Sequence, residues 1–171
     1  IDPYVATGII AMGVVEGAKT APPPLRQESP AAVASGGDVQ NNQFAGIVKS
    51  IAQNSIDGQG SRLVLGEGMA PMQESLRSGG RYILVHPEVV NQLKQNNIDP
   101  FLVYEAAMQM ETASKIPQIE FVGANVDTLL QTWTGKPEDQ APIHVRQVLW
   151  LQRNASRLGY EKSGNSWKLK Q

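Results

Sequence analysis

The sequence predicts a mixed α+β domain, richer in helix than in strand and closed by a C-terminal helix plus β-hairpin. Three observations carry that expectation. Apolar residues recur at helical spacing in several segments. Two short runs rich in branched and aromatic residues, RLVL at 62–65 and RYILV at 81–85, lie between glycines or turn residues and read as strands. Residues 160–170 (YEKSGNSWKLK) alternate apolar and basic side chains around Ser163-Gly164-Asn165-Ser166, which is hairpin chemistry.

The first 38 residues stand apart from this pattern. Residues 1–20 form an apolar tail, and VATGIIAMGVV at 5–15 is too short and glycine-broken for a bilayer span. Residues 21–38 (APPPLRQESPAAVASGGD) have linker composition, with Pro22-Pro23-Pro24 favouring extended chain. An opening Ile1-Asp2-Pro3 without methionine reads as a fragment of a longer protein or a processed product. The α+β domain is therefore expected over residues 39–171.

Within it, Phe44, Ile47, Val48, Ile51 and Ala52 share a helix face, with Lys49 and Gln53 opposite and Asp57-Gly58 as the stop. Met69 to Arg77 reads as a second helix, halted by Gly79-Gly80. Pro87 suits the first turn of a helix carrying Val89, Val90 and Leu93, and His86 before it suits a cap. Asp99-Pro100 opens a longer helix with Leu102, Val103, Ala106, Ala107 and Met110 on one face and Glu105 and Glu111 as solvated surface. Ile119 to Val122 reads as a strand and Val126 to Trp133 as a brief helix.

Charge is distributed unevenly. Residues 144–171 hold Arg146, Arg153, Arg157, Lys162, Lys168 and Lys170 against Glu161 alone, a local +5. The other 143 residues carry nine bases and fifteen acids, or −6, so the net −1 conceals a polarised chain. A one-sided basic surface draws polyanions. Wound as a helix, residues 143–158 (IHVRQVLWLQRNASRL) place Val145, Val148, Leu149, Leu151 and Ala155 on one side. Arg146, Trp150, Arg153 and Arg157, at i, i+4, i+7 and i+11, form a stripe roughly 16 Å long beside it. Guanidinium forks match phosphate oxygens, and Trp150 either stacks on a base or seals the core. The hairpin adds Lys162, Lys168 and Lys170. A helix leading into a basic two-stranded hairpin is the wing end of a winged helix-turn-helix, so the expected site is nucleic-acid-binding and comprises these seven residues.

Two segments resemble the C-terminal, winged-helix-like domain of the conjugative-transfer nickase/helicase (relaxase) family. One runs from Phe44-Ala-Gly-Ile-Val-Lys-Ser-Ile51 to Tyr82-Ile-Leu-Val-His-Pro-Glu-Val-Val90. The other is Val145 to Leu169, with its Leu-Gly step and a strand through Asn165 and Trp167. Together they span about a third of the chain. Residues 91–135 have no counterpart there, and the tryptophan usual in the first helix is absent. The resemblance implies an accessory DNA-handling domain of a bacterial mobile-element protein, with the nicking chemistry in a different domain.

Catalysis is not expected. His86 and His144 are the only histidines, His144 reads as exposed, and neither has a metal-ligand partner at i+4. The absence of cysteine excludes disulfides and thiolate zinc sites. Gly58, Gly60, Gly66 and Gly68 lack the Walker Lys-Ser pair and read as turns. Met108 and Met110 read as core. No cofactor or metal is expected, and the compartment expected is the cytoplasm. The partners expected are single- or double-stranded DNA or an acidic protein surface, other parts of a larger parent protein, and no membrane. The alternative to DNA binding is a protein-interaction or assembly module.

Overall fold

A computed structural model of the chain describes residues 37–171, with side chains from Phe44 onward. The tail expected at 1–20 and the linker up to residue 36 lie outside the described residues. Gly37 and Asp38, the last two residues of that linker, already belong to the first helix. The elements, in chain order, are α1 (Gly37–Ser55), β1 (Ile56–Gln59), β2 (Arg62–Gly66), α2 (Ala70–Ser78), β3 (Gly80–Ile83), α3 (Pro87–Gln95), α4 (Phe101–Ala113), β4 (Gln118–Val122), α5 (Val126–Trp133), a 3-10 turn (Glu138–Gln140), α6 (Ile143–Asn154), β5 (Tyr160–Ser163) and β6 (Ser166–Leu169). The class is mixed α+β, as the sequence predicts. None of the described helices is long and apolar enough to cross a membrane.

The described residues divide into two compact units, one comprising residues 37–51 with 85–100, the other residues 52–84 and 101–171. In the first, α1 buries Val48 and leaves Lys49 in solvent. Helix α3 starts on the Pro87 ring, and the His86 Nδ1 accepts the free Glu88 amide at 3.2 Å, the capping role expected of it. It ends in a Schellman turn: Ile98 N–H donates to Leu93 O and Asn97 N–H to Lys94 O, with Asn97 at φ 59°.

The second unit is built on a six-stranded sheet of order β1-β3-β2-β4-β6-β5, in which β3, β2 and β4 are mutually parallel and the outer pairings antiparallel. Strands β2 and β3 are joined through α2. The chain then returns past β2 and enters the sheet again as β4 on its other side. Helices cover both faces of β2, which is why its sequence is an unbroken apolar run rather than an alternating one: Leu63, Val64 and Leu65 are at most 1% exposed. Helix α2 lies on the Val64 face, where Arg62 reaches Glu74 and Ser78. Helices α4, α5 and α6 lie on the Leu63 and Leu65 face. Three contacts fix that side: Arg81 to Glu111 of α4, Lys162 to Asp127 of α5, and Phe121 near His144 of α6. At the end of β2 the two backbones come so close that a Cβ on Gly66 would sit 2.3 Å from the Val122 carbonyl, so only glycine fits.

Several local expectations change. Asp57-Gly58 does not close α1. The helix stops at Ser55 and the next four residues pair with β3, Ile56 opposite Ile83 and Asp57 opposite Tyr82. Sheet pairing there overrides the turn signal. On α4 the buried set is Phe101, Val103, Ala107, Met108, Glu111 and Thr112, with Leu102 exposed and Met110 half-buried, so the inward face is rotated by about one residue from the apolar stripe. Glu111 is consequently core and not surface. His144 is half-buried beside Phe121, not exposed. The C-terminal α-helix stops at Asn154 and reaches Gly159 through turns.

Candidate nucleic-acid interface

Helix α6 turns its apolar side inward as its periodicity requires: Val145, Val148, Leu151 and Ala155 are buried, Leu149 is half-buried and Arg153 and Arg157 are exposed. The four-residue stripe, however, does not stand together in solvent. Trp150 is 3% exposed and seals the core, which removes it as a base-stacking platform. The Arg146 guanidinium is half-buried, its carbon 4.4 Å from the centroid of the Phe101 ring. Arg153 is clamped to Glu138 of the 3-10 turn at 2.5 Å. Arg157 is exposed and donates to Asn154 Oδ1 at 2.8 Å.

The hairpin separates its three lysines by face. Register pairs put Tyr160 with Leu169 and Lys162 with Trp167 on the side covered by helices, and Glu161 with Lys168 on the opposite side. Tyr160 and Trp167 are core residues, and Lys162 lays its stem beside them to reach Asp127 Oδ1 at 2.8 Å. Lys168 and Lys170 are exposed. Nor is the hairpin a free-standing wing, because β6 is paired along β4 from Gln118 to Glu120. At its tip the Asn165 side chain accepts from Val126 N–H and donates to Ala124 O, while its backbone carbonyl accepts from Phe121 N–H.

What the fold does bring together lies at the other end of the hairpin. Gly159, at φ 93°, ends the turns after α6, and its carbonyl accepts from Lys170 N–H at 2.8 Å. Arg157 and Lys170 are thereby drawn to the same end of the sheet, with Lys168 two residues back along β6. None of the three has a carboxylate within ion-pair distance among the described residues.

The link from α4 to β4 is pinned to this same end. Tyr160 Oη donates to Ile116 O at 2.7 Å, and Leu169 N–H to Pro117 O at 2.9 Å. Burial, and to a lesser degree the neighbouring Glu111 charge, raises the Tyr160 pKa, so the phenol remains a donor. The link begins with a second Schellman turn, Ile116 N–H to Glu111 O and Lys115 N–H to Thr112 O. Its left-handed residue is Lys115, at φ 61°, where roughly 1 kcal/mol is lost relative to glycine. Lys115 is exposed, and no sequence signal marks it because the residue lies outside the basic C-terminal segment.

Elsewhere two arginines are structural. Arg81 forks onto Glu111 through Nε at 2.6 Å and a terminal nitrogen at 2.8 Å. Arg62 joins Glu120, Glu74, Ser78 and the Gly79 carbonyl, tying the end of α2 to β2 and β4. Comparison with known protein families, characterised proteins and solved structures found no match to this chain.

Proposed function

We propose that this chain is an accessory nucleic-acid-binding domain of a larger, cytoplasmic DNA-handling protein, of which a conjugative or mobile-element protein is the type the relaxase resemblance suggests. It contacts phosphates through the C-terminal end of the α6 segment and the base of the hairpin. The observation that carries this reading is the convergence of Arg157, Lys168 and Lys170, exposed and free of carboxylate partners among the described residues, on one end of the sheet. Arg153 lies one helical turn away and joins them once released from Glu138. Trp150, Arg146 and Lys162 are not part of the contact surface.

Titration with random-sequence duplex and single-stranded DNA across a salt series tests it. Binding should weaken steeply with salt, because each phosphate neutralised releases condensed counterions. Arg157→Ala should weaken binding alike for unrelated sequences and lower the slope of log K against log salt by about one, and Arg153→Ala should do less because Glu138 holds that guanidinium. No affinity at low salt, or an unaffected double mutant, overturns the reading.

One feature favours the alternative, a protein-interaction module. Met69 (47% exposed), the residue just before α2, and Leu76 (76%), on that helix, leave large apolar side chains in solvent. Met69→Ser with Leu76→Ser leaves DNA binding unchanged if the proposed reading holds.

A further inference from the structure

We infer that Lys115 is a phosphate-binding residue and that, with Arg157, Lys168 and Lys170, it forms a sequence-independent site for the phosphodiester backbone. This rests on the nucleic-acid reading above and adds a residue and a ligand chemistry to it.

Two independent observations support it. The first is placement. The Pro117–Leu169 and Ile116–Tyr160 hydrogen bonds fix the start of β4 against the base of the hairpin, and Gly159–Lys170 fixes the end of the α6 segment there. The starts of β4 and β5 and the end of β6 thus lie next to one another, roughly 10 Å across at the usual strand spacing, with Lys115, Arg157 and Lys170 just outside them and Lys168 one pair inside, opposite Glu161. No carboxylate lies within ion-pair distance of any of the four among the described residues.

The second is the backbone of Lys115 itself. Three Schellman turns occur among the described helices. Two place Asn97 and Gly159 at the left-handed position, residues that adopt positive φ readily. The third places a lysine there. A side chain held in a conformation that disfavours it points to a use outside the turn. A bland use exists, because a cation also complements the negative end of α4. That role and phosphate contact make different predictions for binding.

The ligand chemistry follows from the side chains. Three of the four are lysines, hydrated point charges that bind phosphate without reading its orientation. The one aromatic of the expected site, Trp150, is buried, so no stacking accompanies them. Such a site follows charge density and ignores base identity.

The test uses the full chain with Lys115→Gln and Lys115→Gly, read by affinity for random-sequence duplex DNA and by Tm. Both variants should weaken binding roughly ten-fold at 50 mM salt and lower the salt slope by about one. Lys115→Gln should lower Tm by no more than about 2 °C, the loss of one surface cation at the end of α4. Lys115→Gly should raise it by about 2–4 °C by relieving the left-handed strain. Wild-type binding that both variants retain in full overturns the inference and leaves the function standing. A wild-type chain that binds no DNA overturns both. Poly-L-glutamate competing as well as duplex DNA at equal charge identifies an acidic protein surface as the ligand and overturns the phosphate assignment.

Discussion

Trp150 and Glu111 show how far one residue's role depends on neighbours distant in sequence. Trp150 sits within a run of arginines that puts it on a basic stripe, yet α6 turns far enough for the ring to be buried. Trp150→Ala should cost about 3–5 kcal/mol by denaturant unfolding and should not change DNA affinity at temperatures where the variant is folded. In sequence Glu111 reads as surface, because it and Glu105 stand too far apart on the helix to share a face closely. Its partner is Arg81, thirty residues earlier, delivered by β3. The hydrogen bonds it donates to Glu111 hold the Arg81 guanidinium more firmly charged than usual. Glu111→Ala strands that guanidinium and should cost about 3 kcal/mol, at the low end for a broken buried pair because Arg81 is partly exposed. Cross-strand partners of this kind are invisible to periodicity. The His86 cap was legible because a cap is a local event, settled within two residues.

At the level of elements, the helices at 87–95, 101–113 and 126–133 and the strands at 62–66, 80–83 and 118–122 follow local pattern closely. Strand β1 escaped because Ile56-Asp57-Gly58-Gln59 carries turn residues and forms a strand only through β3. The hairpin was legible from its Gly-Asn turn and alternation, but its attachment to β4 was not. Residues 159–171 supply Trp167 and Tyr160 to the core and should be indispensable: truncation after Leu158 should abolish cooperative unfolding, where a free wing would leave it intact. Helix α2 makes a prediction about pH. Hydrogen bonds from Ser78 first, then Arg77 and Arg62, hold the Glu74 carboxyl at about 2, against an ordinary 4.5. A depressed carboxyl stabilises the fold above its unfolded value and loses that contribution as pH falls from 4.5 through 2. Glu74→Gln should therefore flatten the stability profile in that window and leave the profile above pH 6 parallel to wild type.

For the molecule as a whole, charge asymmetry was legible as a count but not as a surface. Six bases in the last 28 residues suggest one continuous patch. The fold buries part of one, Arg146, pairs two with acids and sets Lys168 on the far side of the sheet from Lys162. The Arg153–Glu138 pair also sets the strength of the remaining patch. It is half exposed, so its own contribution to stability is within about 1 kcal/mol. Glu138→Gln should leave Tm within error but tighten DNA binding and steepen its salt dependence by about one unit, as Arg153 becomes available. Asp139→Asn, the same charge change next door, should do neither to the same degree. Equal effects from the two would mean that only net charge matters.

The position of β4 bears on how the chain emerges from the ribosome. Its neighbours are β2, made before it, and β6, made only after α5 and α6. At about 5–20 residues per second, the outer edge of β4 waits a few seconds for its partner, its amides and carbonyls open on that side. An unpaired, apolar-faced edge is a template for joining another chain, so nascent copies on one message run that risk until β6 arrives. Asn165 is the residue that ends it. Once its side chain locks onto Ala124 and Val126, the edge is closed and the hairpin is held in register.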